Sequence, residues 1–417
     1  IRSALSVCVH EYTPDPTAET SGTAATATPP EHSDRVLVGR DSDVAPTVSV
    51  VMPTMNEEEG IRECIERAKR AVTRSGYRTE VIISDDSDDR TPDIARQLGA
   101  IVVTPDRPGY GYAYRYAFEH CRGDYIVIGD ADTTYDFERF PALLDPVVNG
   151  EADMVMGSRL NGEIKDGAMP ALHQYIGNPV LTRFLNAFYD AGVSDAHSGF
   201  RAFRAGMLDE LDLETDGMEF ASEMIMDAGA RGLTIEEIPI TYHEREGDAT
   251  LESFRDGWRH VRFMLLNAPG YLFTGPGIGM ASVGILVMLA VFANVTIGSV
   301  TFGIHTSIAG ALLTMVGYQV ANLGVFATVA SDPIQRSDDI ITTTLIERLN
   351  LERMATIGAA VWLAGVVYAG WLVVQWAATG FTQLPMRTGD VLAFTAIVIG
   401  LQTVFNAFFL STVSRSR

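Results

Sequence analysis

Short apolar runs alternate with amphipathic stretches between residues 48 and 242. The apolar runs are rich in Val and Ile and predict strands at Val48–Met52, Val81–Ile83, Ala100–Val103 and Tyr125–Gly129. The intervening periodicity is helical and predicts helices at 57–74, 92–98, 110–121 and 137–148. Strands that alternate with helices are typical of an α/β domain, so we predict a Rossmann-like, mostly parallel sheet with helices on both faces. Ligands of such sheets bind beyond the carboxyl ends of the strands.

The pattern changes abruptly after residue 270. Four stretches are almost free of charge and long enough to cross a bilayer, at about 272–297, 304–330, 354–378 and 389–413. They predict a transmembrane domain of four helices over residues 271–417. The alternative is a group of four buried helices in a soluble protein.

Arginines are unevenly distributed among the segments that connect these stretches. Segment 331–353 and the tail contain Arg336, Arg348, Arg353, Arg415 and Arg417, whereas segments 298–303 and 379–388 contain only Arg387. Positive residues concentrate on the cytoplasmic side of membrane proteins. We therefore expect a multi-pass protein of the cell membrane, with segment 331–353, the tail and the large domain in the cytoplasm. Four spans satisfy this arrangement.

Two flanking segments differ from the predicted α/β domain at residues 47–250. Residues 1–46 are rich in Thr, Ala, Pro, Ser and Asp and predict a disordered extension, without the long apolar core of a secretory signal. Residues 251–270 precede the first apolar stretch and predict an amphipathic helix at the membrane interface. Their basic and aromatic side chains are Phe254, Arg255, Trp258, Arg259, His260, Arg262 and Phe263.

The charge of the chain limits its partners. The net charge is -22 at pH 7, which argues against nucleic acid as the main partner. The only lysines are Lys69 and Lys165, and an acidic, lysine-poor chain is typical of proteins adapted to high salt, where charge repulsion is screened. Cys8, Cys64 and Cys121 form no CxxC pair, so the sequence favours a reducing compartment and indicates neither a disulfide framework nor a zinc site.

Asp130 and Asp132 follow directly after the strand predicted at Tyr125–Gly129. Residues two apart on a strand face the same side, so both carboxylates can converge on one point. A hard cation such as Mg²⁺ is held by one or two carboxylates, and substrate phosphates complete its coordination. In a chain that later enters a membrane, the pair predicts a Mg²⁺ or Mn²⁺ site for the diphosphate of a nucleotide-sugar donor. The alternative is a solvated acidic turn.

Six ordered segments resemble the motifs of one enzyme family. They are Pro53–Glu57 (P-x-x-N-E), Ser84–Thr91 (D-D-x-S-x-D-x-T), Gly109–Gly111, Gly157–Arg159 (G-S-R), Asp195–Arg201 (D-x-x-S-G-F-R) and Tyr242–Thr250 (Y-x-x-R-x-G-x-S-K). From about Val48 to Phe273 the chain resembles the family 2 glycosyltransferases of GT-A fold that load a hexose onto dolichyl or polyprenyl phosphate, in a form suited to a halophilic archaeon. The segment Asp195–Arg201 is the most specific of the six.

The resemblance implies roles for individual residues. Catalytic roles are implied for Asp130, Asp132, Arg159, Asp195 and Arg201. Contacts with the nucleotide-sugar are implied for Pro53, Glu57, Asp85, Asp89, Asp130 and Arg245. Contacts with the acceptor phosphate are implied for Arg159, His173, Asn178, Ser198 and Arg201. The arginines would offer forked donors to phosphate oxygens, and Asp130 and Asp132 would hold the metal.

Several positions depart from the family's motifs. Ser84 stands where many members have aspartate, and Arg90 stands where glycine is common. Ala249 and Thr250 replace the serine and lysine that usually follow the donor-binding arginine. Either a nearby cation such as Arg255 takes over this role, or the donor phosphates are bound more weakly.

The resemblance also implies the reaction. A hexose would pass, with inversion, from a donor of the UDP-glucose or GDP-mannose type to the lipid phosphate at the cytoplasmic face, which would supply lipid-linked sugar for protein or surface glycosylation. A phosphate monoester has a second pKa of about 6 and is largely ionised at pH 7, so this nucleophile needs no general base. The sequence accordingly shows no Ser-His-Asp or Cys-His arrangement.

Two other classes of function stay open at this point. A polymer-forming or lipid-forming transferase of the same family would share the domain and the membrane anchor, although the Gln-x-x-Arg-Trp motif of processive synthases is absent. A non-catalytic membrane scaffold would tolerate the departures at Ser84, Ala249 and Thr250. The sequence leaves the sugar, the nucleotide base and the oligomeric state open.

Overall fold

A computed structural model describes residues 37–246, 253–297, 300–330, 351–382, 384 and 387–414. Seven strands form one sheet: β1 Val48–Thr54, β2 Thr79–Asp85, β3 Ile101–Val103, β4 Tyr125–Ile128, β5 Met154–Ile164, β6 Arg201–Arg204 and β7 Ile235–Tyr242. The helices that accompany the sheet are α1 Ile61–Ser75, α2 Thr91–Gln97, α3 Tyr110–Phe118, α4 Phe140–Val148, α5 Asn178–Tyr189 and α6 Phe220–Ala230. The four strands and four helices predicted before residue 150 are all present.

The sheet is mixed but mostly parallel. Its strand order is β3-β2-β1-β4-β6-β5-β7. Strand β1 pairs in parallel with β2 and with β4, and β2 pairs in parallel with β3. Strand β6 runs antiparallel to both β4 and β5, and β5 pairs in parallel with β7. Because β1, β2 and β4 are parallel neighbours, their carboxyl ends lie at one edge of the sheet. This edge is where ligands of such folds bind.

Helices cover both faces of the sheet, as the sequence predicted. Alternate residues of β1 belong to different apolar clusters, since successive strand residues point to opposite faces. Val50 packs in the cluster that contains residues of α1, α2 and α4. Val51 packs in the cluster that contains residues of α3, α5 and α6. Val50 and Val51 are both completely buried, so the strand that leads to the loop after β1 is rigidly held.

Helix α1 follows directly from its sequence pattern. Its buried residues recur every three or four positions: Ile61, Cys64, Ile65, Ala68, Ala71 and Val72. The helix ends at Gly76, which adopts a left-handed conformation with φ 73° that glycine accommodates without strain. The amide of Gly76 donates to the carbonyl of Val72 and closes the last turn.

The ordered domain begins earlier than the predicted boundary at residue 47. Leu37 forms a parallel β-bridge with Thr79, and Val38 is buried with 2% of its surface exposed. These two residues therefore belong with the sheet rather than with a disordered extension. Residues 1–36 of that predicted extension lie outside the described residues.

Helix α7, Ser253–Leu266, lies within the segment predicted as an interfacial helix. Two of its contacts with the domain are hydrogen bonds. The side chains of Ser222 and His260 are hydrogen-bonded at 3.0 Å, and the Tyr189 hydroxyl donates to the Met264 carbonyl at 3.4 Å. A short π-helical turn, Gly270–Thr274, then leads into the first long apolar helix.

Within the described part of the chain, four helices are long and apolar enough to cross a membrane: α8 Gly275–Phe292, α9 Ile304–Ala330, α10 Leu351–Ala378 and α11 Thr388–Ser414. The first span was predicted at 272–297, but the helix ends five residues before residue 297. α8 stops at Phe292, Asn294 has a positive φ of 56°, and β8 Thr296–Ile297 pairs with β9 Val300–Thr301. The arginine-bearing segment at 331–350 lies outside the described residues.

Glycines allow α8 and α9 to pack closely. A Cβ atom on Gly284 would lie 2.4 Å from the Gly310 carbonyl oxygen, and one on Gly317 would lie 2.3 Å from the Ala281 nitrogen. Such distances leave no room for a larger side chain. The second helix pair joins the first through Tyr318 of α9, whose hydroxyl lies 2.6 Å from the hydroxyl of Thr403 on α11.

Candidate active site

Four side chains meet at the carboxyl edge of the sheet, and we call them the carboxylate cluster: Glu57, Asp130, Asp132 and Arg245. Glu57 lies in the loop after β1, the aspartates follow β4, and Arg245 follows β7. Arg245 Nη2 donates to Glu57 Oε1 at 2.6 Å, and Arg245 Nε lies 3.7 Å from Asp132 Oδ2. The cluster thus joins three loops that are distant in sequence.

Backbone contacts hold the Arg245 segment beside the aspartates. The amide of His243 donates to the carbonyl of Thr134 at 2.9 Å, and the amide of Glu246 donates to the carbonyl of Asp132 at 3.2 Å. Asp132 itself is buried and accepts hydrogen bonds from the hydroxyl of Thr134 at 2.5 Å and from its amide at 3.2 Å. One oxygen of Asp132, Oδ1, is therefore fixed, and Oδ2 faces the guanidinium.

Asp130 is held from the other side by a tyrosine of α3. The hydroxyl of Tyr110 donates to Asp130 Oδ1 at 2.8 Å. Burial and the charge of Asp132 raise the pKa of Asp130 above the ordinary carboxyl value, although this hydrogen bond opposes the shift. Burial also raises the pKa of Glu57, to about 7, and the charge of Asp132 adds to that effect against the opposing charge of Arg245. The cluster carries more negative charge than its arginine balances.

This excess of negative charge fits a divalent cation. No group of three or more His, Cys, Asp or Glu side chains within the described ranges could hold a metal ion. Mg²⁺, however, is commonly bound through one or two carboxylates with substrate phosphates and water completing the octahedron. Asp130 and Asp132 provide such a pair of oxygen donors, so the residues present fit Mg²⁺ or Mn²⁺ bound together with a diphosphate.

The two loops next to the cluster are cross-linked by short polar side chains. Asp85 Oδ1 accepts hydrogen bonds from the hydroxyls of Thr54 and Ser87, both at 2.7 Å. The Asn56 amide donates to the Ser87 hydroxyl at 2.7 Å, and the Asn56 side chain accepts from the Asp88 amide at 3.0 Å. Asn56 has a positive φ of 61°, and helix α1 begins only at Ile61. Asn56 therefore links the two loops rather than capping the helix.

Asp89 and Pro53 lie on the same two loops. Asp89 accepts the amides of Thr91 at 2.9 Å and Glu58 at 3.2 Å. Pro53 is half-buried near the end of β1 and pairs with Ser84 of β2. Ser84 is completely buried and its hydroxyl has no hydrogen-bond partner in the described structure. The departure at Ser84 thus falls inside the sheet, whereas Asp85 holds the loop connection.

Arg159 and Asp195 form a buried ion pair beside the cluster. Arg159 Nε and Nη2 donate to the two carboxylate oxygens of Asp195 at 2.7 and 2.8 Å, and the Arg159 amide donates at 3.0 Å. The Arg159 guanidinium also lies 5.3 Å from the ring centre of Tyr242. Glu237 accepts the amides of Ser194 and Asp195 at 2.7 and 3.0 Å. The pair is therefore held rigidly by the chain on both sides.

The phosphate-binding roles expected for Arg201 and Ser198 stay predictions, and both side chains contact the backbone in this structure. Arg201 is completely buried, and its guanidinium donates to the backbone carbonyls of Ser198, Ala196 and Ala221. The Ser198 hydroxyl is also buried and donates to the carbonyl of Gly157 at 2.5 Å. Both side chains hold the loop in shape.

His173 and Asn178 lie at the start of α5, away from these contacts. His173 begins the π-helical turn His173–Gly177, and Asn178 donates to the sulfur of Met169 at 3.4 Å. Among the hydrogen bonds of the described residues, none joins either side chain to the aspartates. The large apolar side chains around them are exposed: Leu172, Tyr175, Ile176 and Val180.

The comparisons with known proteins identify the family. The model of "Glycosyl transferase family 2" matches residues 49–212, and that of "Glycosyltransferase family 2 C-terminal transmembrane region" matches residues 325–414. The low-salt glycan biosynthesis hexosyltransferase Agl6 of Haloferax volcanii is 57% identical over 380 residues, which are 91% of this chain and 92% of that protein. The chain belongs to the family 2 glycosyltransferases. It is therefore an enzyme that transfers a sugar, and its family includes a membrane region.

A second relative and a solved structure cover smaller parts of this glycosyltransferase. The dolichyl-phosphate hexose transferase of Haloferax volcanii is 35% identical over 210 residues, or 50% of this chain and 89% of that protein. Glucosyl-3-phosphoglycerate synthase of Mycobacterium tuberculosis, solved with Mn²⁺ and UDP, is similar with a TM-score of 0.44 and 25% identity, over 54% of this chain and 80% of that chain.

The structure of the glycosyltransferase brings together some of the predicted site residues and separates others. Glu57, Asp130, Asp132 and Arg245 meet in one cluster. Two contributors were missed by the sequence analysis. Tyr110 lies within the glycine motif that was noted only for its glycines, and Glu237 lies on β7 with no local sequence signal.

Proposed function

We propose that the enzyme transfers a hexose from a nucleoside diphosphate sugar to dolichyl or another polyprenyl phosphate, at the cytoplasmic face of the membrane. One observation carries this proposal. The segment that brings Arg245 to the aspartates continues within a few residues into α7, which begins at Ser253, and then into the first candidate span at Gly270. The sugar site is thus joined by a short stretch of chain to the membrane, where a lipid acceptor would be dissolved.

The names of the two relatives support this assignment. One is called a hexosyltransferase of glycan biosynthesis, and it is similar over nearly the whole chain. The other is called a dolichyl-phosphate hexose transferase, and it is similar over the catalytic part. The first supports the class of sugar, and the second supports the class of acceptor.

The carboxylate cluster supports a mechanism based on position and charge. Asp130 and Asp132 would hold Mg²⁺ or Mn²⁺, which when bound supplies positive charge to stabilise the leaving diphosphate. Arg245 would exchange its contact with Glu57 for a phosphate oxygen of the donor, since a guanidinium binds such oxygens well. Asp85 and Asp89 would place the nucleoside by holding the loops after β1 and β2. The lipid phosphate would attack the anomeric carbon opposite the leaving group, with inversion.

The exposed apolar side chains at the start of α5 support an approach of the lipid from that side. Leu172 and Tyr175 have exposed fractions of 60% and 71%, which is unusual for large apolar residues. His173 and Asn178 lie among them and would contact the acceptor phosphate. The arginines of segment 331–350 and the tail would keep the catalytic domain in the cytoplasm.

The experiment is transfer of radiolabelled sugar to dolichyl phosphate in high salt. UDP-glucose, GDP-mannose and UDP-N-acetylglucosamine are tested separately as donors with the purified full chain and Mg²⁺ or Mn²⁺. We expect one donor to yield a labelled lipid with an acid-labile phosphate link. Asp132→Ala should lower the rate by about two to four orders of magnitude, because it removes a charge that acts at the leaving group.

A matched control is Asp93→Ala, which removes an exposed aspartate whose contact is with Arg96 on the same helix. This variant should keep its activity. Normal turnover by Asp132→Ala would refute the assignment of the aspartate pair. If folded enzyme forms no labelled lipid from any donor, either the donor or the acceptor is a different molecule, and the proposed function is wrong.

A further inference from the structure

The hydroxyl of Tyr110 makes the one side-chain hydrogen bond to Asp130 that the described residues show. Tyr110 is the first residue of α3, and its hydroxyl lies 2.8 Å from Asp130 Oδ1. Neither the family motifs nor the proposed mechanism uses this side chain. Its contact fixes one of the two oxygens of a carboxylate that would otherwise rotate about its own bonds.

The second carboxylate oxygen of Asp130, Oδ2, lies against a glycine. A Cβ atom on Gly199 would lie 3.1 Å from Asp130 Oδ2 and 3.4 Å from the hydroxyls of both Tyr110 and Tyr135. The Gly199 amide donates to the Tyr135 hydroxyl at 2.8 Å, so the glycine is itself held in place. Asp130 therefore lies between a donor that pulls on Oδ1 and a surface that limits the movement of Oδ2.

The packing around Tyr110 also restricts its movement. Its ring packs edge-on against Tyr114, with ring centres 5.2 Å apart, and Tyr114 stacks on the buried Phe220 of α6. The amide of Gly111 donates to the carbonyl of Asp216 at 2.9 Å and joins the start of α3 to the loop before α6. A donor on such a support presents its hydrogen in one direction.

We infer that Tyr110 is a positioning residue, which orients the Asp130 carboxylate so that the aspartate pair binds a divalent cation together with the donor diphosphate. This inference rests on the proposed function, because it assigns a role within the same site. A hydrogen bond to a charged group is strong enough that its loss should weaken cation binding about tenfold.

Helix α3 provides matched controls for a test. Tyr112 donates to Asp106 on the surface. The Tyr114 hydroxyl is buried and interacts with the Tyr110 hydroxyl, but it makes no hydrogen bond to Asp130 among the described residues. Each of Tyr110→Phe, Tyr112→Phe and Tyr114→Phe removes one hydroxyl from the same helix. Only the first removes a contact with Asp130.

The experiment measures Mn²⁺ binding to the full chain in detergent, in the presence of saturating UDP or GDP. Binding is detected as a decrease in the spectroscopic signal of free Mn²⁺. We expect the Kd of Mn²⁺ to rise about tenfold in Tyr110→Phe and to stay within about twofold in the two other variants. Thermal midpoints should stay similar in all three. The same change should appear in the Mn²⁺ concentration that gives half-maximal transfer, with a smaller effect on the KM of the lipid acceptor.

A second variant acts on the other carboxylate oxygen of Asp130. Gly199→Ala would press on Asp130 Oδ2 and should also weaken Mn²⁺ binding, without loss of the Tyr110 hydroxyl. If Tyr110→Phe does not fold, unchanged Mn²⁺ affinity in Gly199→Ala would show that cation binding does not depend on a fixed Asp130 carboxylate, and the positioning role would be wrong.

Unchanged Mn²⁺ affinity in Tyr110→Phe, or an equal loss in Tyr112→Phe, would overturn the positioning role while leaving the proposed function intact. A wild-type chain that binds no Mn²⁺ with either nucleotide would overturn the cation assignment and this inference with it.

Discussion

At the scale of single residues, the main feature for stability is the buried ion pair next to the carboxylate cluster. Arg159 and Asp195 have exposed side-chain fractions of 8% and 0%, and they are joined by two parallel hydrogen bonds. A buried pair of this kind gives little net stability over an apolar pair, but the loss of one partner leaves an uncompensated charge. Its value to the enzyme lies in fixing strand β5 against the loop before β6.

The first prediction concerns that ion pair. Asp195→Leu and Arg159→Met should each lower the free energy of unfolding by about 3–5 kcal/mol, because each leaves one buried charge without its partner. The double variant should lose less than the sum of the two single losses. Thermal and denaturant unfolding of the purified chain in detergent measures both effects, and strictly additive losses would show that the two residues do not act as a pair.

His197 provides a second prediction, about pH. Burial and the neighbouring His260 lower the pKa of His197 from 6.5 to about 3, with Arg159 and Arg201 acting in the same direction and Asp195 against it. The folded chain thus keeps this ring neutral, whereas the unfolded chain protonates it below about pH 6.5. The contribution of His197 to the free energy of unfolding is therefore fully present above about pH 6.5. It falls by about 1.4 kcal/mol per pH unit as the pH drops towards 3.

Replacement of this histidine tests the prediction directly. His197→Phe should show a smaller loss of thermal midpoint than the wild type between about pH 6.5 and about pH 4.5. The control is His120→Gln, which changes a ring that contacts the Tyr116 carbonyl at the end of α3. Identical pH slopes for wild type and His197→Phe would contradict the assignment.

At the scale of elements, the apolar helices depend on close approach rather than on the hydrophobic effect. Lipid tails are as apolar as leucine side chains, so helices in a bilayer associate through packing and small residues. The contact between α8 and α9 is of this type, because Gly284 and Gly317 each lie against the backbone of the other helix.

The third prediction follows from this contact. Gly317→Leu should separate α8 from α9 and lower the thermal midpoint of the detergent-solubilised enzyme by several degrees, since its side chain would overlap the Ala281 backbone. Gly279→Leu is the matched control on α8, because nothing lies within 4 Å of a Cβ atom there. Size-exclusion chromatography and thermal unfolding compare the two variants. An equally stable Gly317→Leu enzyme would mean that the helices do not pack as described.

Local pattern was sufficient for β1 to β4 and for the helices between them, because apolar runs and helical periodicity recur there without interruption. The antiparallel direction of β6 was not predictable, since it depends on pairing with β4 and β5 far along the chain. The same limit applies to the site. Asp130 and Asp132 are close in sequence and were found, whereas the contact between Glu57 and Arg245 spans 188 residues. The burial of Arg201 was not predictable either, because an arginine motif does not reveal whether the side chain is buried.

At the scale of the whole molecule, acidic charge dominates. The chain has 53 acidic and 31 basic residues of the Lys and Arg types, and its C-terminal apolar helices contain few of either. The repulsion is therefore concentrated in the part of the chain outside the apolar helices. Screening reduces such repulsion as salt increases, because the Debye length falls from about 10 Å at 0.1 M to about 3 Å at 1 M.

The fourth prediction is a rise in stability with salt. The thermal midpoint and the transfer rate should both increase between about 0.1 M and about 2 M KCl, because self-repulsion is screened. Sucrose at equal osmolality is the control for excluded-volume effects. A midpoint that falls with KCl would show that ion pairs, rather than repulsion, dominate the charge balance of this enzyme.

The rarity of lysine, together with one backbone contact, gives the enzyme a natural attachment point for a reporter dye. The amide of Lys165 donates to the Tyr242 carbonyl at 2.9 Å, and the Lys165 side chain is 46% exposed beside Glu163. Lys69 is the other lysine, and Lys69→Arg would leave Lys165 as the single side-chain amine. An amine-reactive fluorophore would then attach next to the strand end that leads to Arg245. Its emission would report, in real time, when that segment moves as the donor binds.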